Sequence, residues 1–334
     1  MKQPPYIAVR KYRLIVQSGV TALVLFLGYR LWQFSLYYET HGRTQYIPHP
    51  DGVEGFLPIG ALTSLKYLIV TGHVHPMHPA ALFIFVGALL SSALLKKGFC
   101  GWICPVGFLE DRLYRPWRML FKKNMALPKW LDYPLRSLKY LLFVFFFAAI
   151  VLGMDLPALH SFLDGDYWKI SDVKMLKFFM SIGGISLTII TMLVILSIPI
   201  RNFWCRYLCP YGALTGILGI LSPFEITRNE EKCIDCGKCA KNCPYHLPVD
   251  KKKRVVSPEC TSCMTCLSGC PTAAIDYATP GGRYKLPGWA YPVALLCIFF
   301  GVVAIAKLTG NWHATVSPED YQRLVPIAES LMHP

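Results

Sequence analysis

Charged residues are scarce in this chain. Only 16% of its 334 residues are Asp, Glu, Lys or Arg, against roughly 25% in a typical soluble domain. With 54% hydrophobic residues and a mean hydropathy of +0.38, the composition excludes an ordinary soluble domain and makes a membrane protein the default. Acidic residues are scarcer than basic ones: 20 Asp and Glu against 34 Lys and Arg, a net charge of +14. No nucleic-acid-binding module accompanies that surplus, so no nucleic-acid partner is expected. No C-x-x-C-H occurs, so covalent c-type haem is not encoded. The first apolar stretch has no obvious small-residue cleavage site and is too long for a signal-peptide core, so it is expected to remain as an anchor.

Cysteine, by contrast, is plentiful and ordered. The segment from Cys233 to Pro271 contains CIDCGKCAKNCP and CTSCMTCLSGCP, each C-x2-C-x2-C-x3-C-P, the spacing of a bacterial ferredoxin holding two [4Fe-4S] clusters. That pattern assigns Cys233, Cys236, Cys239 and the remote Cys270 to one cluster, and Cys260, Cys263, Cys266 and Cys243 to the other. Zinc or disulfides account poorly for eight cysteines on a duplicated spacing. Lys232, Lys238 and Lys241 flank the first run and are expected to raise its cluster's potential.

The closing C-x3-C-P turn recurs twice more, in FCGWICPVGFL (99–109) and WCRYLCPYGAL (204–214). The equal spacing of the two pairs, Cys100 and Cys104, Cys205 and Cys209, points to an internal repeat, and membrane repeats often build a site at their interface. Proline disfavours helix at the preceding cysteine and suits the first position of the next helix. The thiolate then meets the positive end of that helix. Three readings of these four cysteines stay open: a third iron–sulfur centre, a dithiol or copper or zinc site, and a structural role. FLPIGALTSL (56–65) echoes the motif, but Leu57 stands where cysteine would be; it is expected to form a re-entrant or surface-lying helix after a proline turn.

Five apolar segments approach the roughly 20 residues needed to cross a bilayer: about Leu14–Tyr38, Pro79–Leu95, Leu135–Gly153, Phe178–Ile200 and Trp289–Thr309. With the N-terminus placed in the cytoplasm, the inner segments 1–13, 96–139 and 201–288 carry 26 of the 34 Lys and Arg, and the outer ones carry 6. That bias supports this orientation and explains the net charge by proximity to anionic lipid. The ferredoxin stretch is then cytoplasmic and the C-terminal tail periplasmic, in a bacterial inner membrane. The expected fold is an all-α polytopic membrane protein of about five spans with an inserted two-[4Fe-4S] ferredoxin domain. Its regions are a membrane domain (1–222) with both Cys-Pro units, the ferredoxin domain (223–286), a last span (287–310) and a tail (311–334).

FCGWICPVGFLEDRL, WCRYLCPYGALTG, the double ferredoxin motif and GVEGFLPIGALTSL (52–65) together resemble the NapH/NosR/CcoG group of polytopic iron–sulfur membrane proteins. The resemblance covers about residues 52–276. It implies a membrane electron-transfer subunit that oxidises quinol, a possible quinol dehydrogenase component, with the lipid bilayer, a periplasmic redox protein or other subunits of a respiratory complex as partners. The large flavin-binding region of the NosR-like branch and the immunoglobulin-like domain of the CcoG-like branch are missing, which brings the chain nearest to NapH. The CcoG likeness implies an alternative, a copper reductase or assembly factor using the Cys-Pro cysteines; a redox-sensing membrane regulator is a third.

Other residues carry weaker signals. TGHVHPMHPA brings His73, His75 and His78 together, and these could contact quinol or ligate haem or a metal; the plainer reading is a polar interfacial loop. Glu54 could accept a proton, although a surface carboxylate is the blander reading. Arg30 in the first span could pair with an acid or a quinone oxygen, snorkel to the interface or face a cavity. Cys297 is expected to pack among apolar side chains, and Lys251–Arg254 to form a solvated or lipid-facing loop. Ser317 should cap a short surface helix in the tail.

Overall fold

The structure, a computed structural model, describes residues 7–121, 125 and 127–331; the last residues of the tail fall outside this range. Its helices are α1 (Ile7–Glu39), α2 (Pro58–Thr71), α3 (Pro79–Leu95), α4 (Pro105–Phe121), α5 (Lys129–Val151), α6 (Leu156–Leu163), α7 (Asp166–Lys169), α8 (Ser171–Met180), α9 (Gly184–Ser197), α10 (Phe203–Tyr207), α11 (Pro210–Leu218), α12 (Lys238–Asn242), α13 (Thr265–Ser268), α14 (Ala290–Leu308) and α15 (Pro318–Leu324). Proline opens α2, α3, α4, α11 and α15, where its missing N–H costs nothing and its fixed φ suits the first turn. The sequence echo at 56–65 thus becomes the start of α2, after a 3-10 turn over Asp51–Phe56.

The chain is mostly helical, and among the described residues three helices are long and apolar enough to cross a membrane, α1, α5 and α14, or four if the bent pair α8 and α9 is one span. The second expected span forms with the bounds read from the sequence, a helix of 17 residues over 79–95, shorter than the roughly 20 that cross a bilayer. One expected span differs. The fourth expected span is broken into α8 and α9, bent by 81°. Gly183 and Gly184 lie at that break, where glycine disfavours continued helix.

The chain divides into two compact units. The first comprises residues 1–21, 88–143 and 190–299. Inside it the ferredoxin insert builds a three-stranded antiparallel sheet in the order β2-β1-β3, from β1 (Glu225–Arg228), β2 (Arg254–Val255) and β3 (Ile275–Ala278). Ile226 pairs with both Val255 and Tyr277, and all three side chains are buried. Lys251, Lys252 and Lys253 are exposed before β2. Cys297 does not pack as expected: it is exposed on α14, a helix apolar all round and therefore suited to lipid on its outer face.

The second unit comprises residues 22–87, 144–189 and 300–334. Its core joins Leu31 and Phe34 of α1, Val53, Ile170 and Val173 to Tyr321, Leu324, Val325 and Ala328 of the tail. The tail helix is therefore not merely surface-lying. Ser317 caps it as expected, its Oγ accepting from Asp320 N at 3.0 Å, but the opposite face of α15 is inserted into this core. Arg30 is half-buried on α1.

Candidate functional site

The two Cys-Pro turns close with the same backbone hydrogen bond, although a π-helix leads into the first and an α-helix into the second. Cys104 N donates to Phe99 O at 2.9 Å and Cys209 N to Trp204 O at 3.0 Å, both across five residues. This wide turn reverses the chain just before Pro105 and Pro210, so each second cysteine sits at a helix start. Gly212 N points at Cys209 Sγ at 3.3 Å, and the N–H groups of Gly107 and Val106 serve Cys104 in the same way. Helix N-termini thus face both sulfurs with unsatisfied donors, the arrangement that favours thiolate.

The two turns interlock. Cys100 Sγ lies 3.4 Å from Thr215 Oγ1 of α11, and the rings of Phe99 and Tyr211 meet edge to face at 5.8 Å. Glu110 of α4 reaches back to the second turn, accepting from Trp204 N at 2.7 Å and Cys205 N at 3.0 Å. Cys104 senses the charge of Cys100 and Cys209, Cys205 that of Cys209 and Cys104, and Cys209 that of Cys100. The four sulfurs therefore form one group. Burial, with repulsion from Cys100, pushes the Cys104 thiol up to about 12 and the Cys209 thiol up to about 11. Such a group ionises only when a cation holds it.

The ferredoxin insert is seated on both turns. Trp102 Nε1 donates to Ser262 O at 2.9 Å. A side chain at Gly101 would strike the carbonyl oxygen of Thr261, and one at Gly216 would come within 2.5 Å of Pro258 O. Glycine is required at each position because the 258–262 backbone lies directly against the turn. Cys243, Cys260, Cys263 and Cys266 line one cavity of about 350 Å³, counting its part open to solvent, with Ile226, Leu247, Val255 and Met264 among its walls. Of the other four ferredoxin cysteines, Cys239 senses the charge of Cys270, while Cys236 is exposed and Cys233 half-buried. The insert thus has one enclosed cysteine set and one near solvent. The donors fit iron–sulfur clusters: all thirteen cysteines are free, and backbone N–H groups serve sulfurs in each ferredoxin set, as Ala274 N does Cys270 at 3.3 Å and Leu247 and Tyr245 N do Cys243.

Cations gather between the Cys-Pro turns and the enclosed set. Lys139 Nζ bonds Glu259 Oε2 at 2.5 Å, and Tyr140 Oη donates to Glu259 Oε1 at 2.8 Å. Lys96 Nζ donates to Val255 O at 2.8 Å. Lys97 is buried and its Nζ has no hydrogen-bond partner, yet its charge reaches both Cys209 and Cys260. Lys232 and Lys238, beside the first cysteine run, are exposed instead.

The three histidines singled out from the sequence do not form one set. His73 is exposed. His75 is buried, 3.3 Å from Asp164 and edge-on to Tyr67. His78 is fully buried: Nε2 is 2.7 Å from Trp168 O and Nδ1 3.0 Å from Glu54 Oε1. Glu54 is not a surface carboxylate; it is 0% exposed and accepts from Ala81 N at 3.0 Å, at the start of α3. Burial pushes the Glu54 carboxyl up, against the pull of His78.

Sequence reasoning missed the residues around these. His49 lies between two carboxylates, Nε2 2.5 Å from Asp172 and Nδ1 3.2 Å from Asp51. Burial alone would lower its pKa, but Asp172 and Asp51 outweigh that and raise it to about 10. The adjacency of His49 and Asp51 in HPDG was a usable signal, as was Lys96-Lys97 immediately before FCGWIC. Asp172 and Glu259 carried none, because their partners are more than a hundred residues away.

Comparison with known proteins agrees with the cysteine geometry. A family described as "4Fe-4S binding domain" matches residues 77–128 and 182–227, and one described as "4Fe-4S dicluster domain" matches 225–271. YccM of Escherichia coli (strain K12), provisionally named an electron transport protein, is 44% identical over 96% of this chain and 92% of its own length. The ferredoxin-type protein NapH of Haemophilus influenzae is 26% identical over 60% of this chain and 67% of its own. The methylamine utilization ferredoxin-type protein MauN of Paracoccus denitrificans is 30% identical over 54% of this chain and 61% of its own. No solved structure matches. With 44% identity along nearly its whole length to one member, and both iron–sulfur patterns in register with its cysteines, the chain belongs to the family of ferredoxin-type 4Fe-4S membrane proteins that includes YccM, NapH and MauN.

Proposed function

We propose that this protein relays electrons between the quinol pool and a periplasmic redox partner through three iron–sulfur centres. Cys233, Cys236, Cys239 and Cys270 hold one [4Fe-4S] cluster, and Cys260, Cys263, Cys266 and Cys243 a second. Cys100, Cys104, Cys205 and Cys209 hold a third. The observation that carries this reading is the seating of the enclosed cysteine loop on both Cys-Pro turns, through Trp102 and the contacts at Gly101 and Gly216. Bound clusters supply one-electron carriers at fixed positions.

Spacing favours a multi-iron core over the copper or zinc alternative for the third centre. A single tetrahedral ion with metal–sulfur bonds of about 2.3 Å holds its sulfurs about 3.8 Å apart. Among the described residues no three cysteine sulfurs lie within 4.8 Å of one another. The "4Fe-4S binding domain" match supports the same reading, since its two segments contain the two Cys-Pro pairs. The residues around the sulfurs exclude water and fix charge: Trp102, Tyr207 and Tyr291 are buried, and Lys97 and Lys139 are buried cations. The cytoplasmic placement of the insert and the periplasmic placement of the tail rest on the charge bias of the sequence.

The test is an anaerobic iron and sulfide count with EPR, on the wild type and on Cys205→Ala. The expected content is about twelve irons per chain, falling by about four in the variant, with signals appearing on addition of duroquinol. About eight irons, unchanged by Cys205→Ala, would remove the third centre. Full clusters that duroquinol fails to reduce would remove the quinol.

A further inference from the structure

The second unit holds a chain of imidazoles and carboxylates that the electron-carrying residues do not use. It starts at His313, whose side chain is 81% exposed, with Nδ1 2.7 Å from Asp51 Oδ2. Asp51 Oδ1 faces His49 Nδ1 at 3.2 Å, and His49 Nε2 faces Asp172 Oδ2 at 2.5 Å. Asp172 is fully buried, and its other oxygen, Oδ1, has no hydrogen-bond partner. Beside this line stands the Glu54–His78 pair; a carboxylate oxygen of Glu54, a ring nitrogen of His49 and an oxygen of Asp51 all lie within 4.8 Å of one another.

Here three buried carboxylates, Asp51, Glu54 and Asp172, face the buried His78, the half-buried His49 and the exposed His313. With all three imidazoles protonated the charges match; whenever His313 releases its proton to solvent one negative charge remains, and the cluster can take up one proton. His78 Nε2 faces a carbonyl oxygen and must carry a proton there, which leaves Nδ1 as the nitrogen that faces Glu54 Oε1 at 3.0 Å. His49 has a carboxylate at each nitrogen and can accept a proton at Nε2 while releasing one at Nδ1. Neighbouring elements add few competing charges: Tyr321 of α15 stacks over His49 at 6.1 Å, Phe34 of α1 meets it edge-on at 5.1 Å, and Trp168 meets His78 at 4.9 Å.

We propose that Asp172, His49, Asp51 and His313 form a proton relay from the interior of the unit to solvent, with Glu54 and His78 as a second buried acceptor. The relay rests on the quinol reading above for its proton source. Oxidation of one quinol to quinone breaks two O–H bonds and releases two protons and two electrons. Bound iron–sulfur clusters would take the electrons one at a time. The two protons would enter one after the other at Asp172 and pass through His49 and Asp51, the first leaving at His313 before the second is taken up. Alternating carboxylate and imidazole groups of this kind mark proton paths in membrane proteins.

The test uses the full-length protein with its clusters, purified anaerobically, and has two arms. In the first, a pH jump is followed by stopped-flow infrared spectroscopy of the buried carboxyl and imidazole bands, with no quinol present. The wild-type bands should respond about tenfold or more faster than those of His313→Ala or Asp51→Asn, an effect of the size that positioned acid–base groups produce. Free imidazole should restore the His313→Ala rate; because that side chain is exposed, its removal leaves the fold intact. Equal rates in wild type and His313→Ala, or an imidazole-independent deficit, would overturn the relay. In the second arm duroquinol reduces the clusters, read by EPR, with dithionite as a reductant that needs no proton acceptor. Slower reduction of Asp51→Asn by duroquinol, with dithionite unaffected, supports the relay; equal rates with duroquinol overturn it. A wild type that duroquinol cannot reduce removes the quinol reading, and the infrared arm still decides the relay.

Discussion

All thirteen cysteines fall in the first unit, whereas His41, His49, His73, His75, His78, His160 and His313 fall in the second and only His246 among the described histidines in the first. Charge follows the same division. In the first unit Lys139, Glu259, Asp132 and Arg206 are locked into pairs with fixed partners, and Lys97 lies buried near cysteines. In the second, the buried charges are imidazoles and carboxylates that can trade protons. Thiolates select iron–sulfur centres and so single electrons; imidazoles paired with carboxylates handle protons near neutral pH. A protein that takes hydrogen from a quinol would have to do both, and here the two residue sets lie in separate units. The comparison predicts that charge changes in the first unit act through fixed partners, and those in the second through an imidazole that titrates.

The largest effect tests the fixed charges. Lys139→Met would leave the buried Glu259 carboxylate with its bond from Tyr140 and the charge of Lys97, and should cost about 3 kcal/mol, the low end for a broken buried pair. Adding Glu259→Gln should recover most of that, because the amide still accepts from Tyr140. Thermal unfolding at pH 7 should show the loss in the single variant and its recovery in the double one; a double variant no more stable than Lys139→Met would break the contrast between the units.

Next comes the titration of His49. Its pKa is raised from 6.5 to about 10 in the folded protein, so the stability it contributes is fully present below about pH 6.5 and is lost as pH rises through about 10. Between pH 7 and pH 10 the wild type should lose about 2 kcal/mol or more on this account. His49→Gln should be less stable at pH 7 and show a flatter profile. Parallel profiles for wild type and variant would mean that His49 is not held as an imidazolium. A smaller effect probes the seam in the first unit: Gly216→Val forces atoms onto Pro258 O and should cost about 1–3 kcal/mol, read as earlier bleaching of cluster absorbance on heating.

The two halves were unequally legible in the sequence. Cysteine spacing is local, because a cluster takes three ligands from one short loop, so the ferredoxin runs and Cys-Pro turns stand out unaided. The helix starts at Pro58, Pro105, Pro210 and Pro318 were legible for the same reason. The imidazole–carboxylate cluster was not. It gathers His49 and Asp51 from the loop and turn after α1, Asp172 from α8 and His313 from the segment after α14, and no local pattern encodes such distances. Glu54 and His78 were noticed, but as separate loop residues. The break between α8 and α9 hid inside a continuous apolar run, where Gly183 and Gly184 were the only sign.

The smallest effect separates buried from exposed lysines within the sulfur-rich unit. A cation near a cluster favours the reduced, more negative state and so raises the potential. By that logic Lys232 and Lys238 should raise the potential of the first cluster. Both side chains are exposed, however, and water and salt screen them. Lys97 is 2% exposed, and its charge reaches Cys209 and Cys260 at once. Lys97→Met should therefore lower the potential of a centre held by either set by on the order of 100 mV, as expected for one charge several ångströms away at an effective dielectric constant of about 20. Lys232→Gln and Lys238→Gln should each shift a potential by no more than about a fifth of that, and the shift should vanish in high salt. Reductive titration followed by EPR would measure all three. A Lys97→Met protein whose potentials match the wild type would show that the buried cation serves packing alone, and the fixed charges of the first unit would then have no part in tuning its electrons.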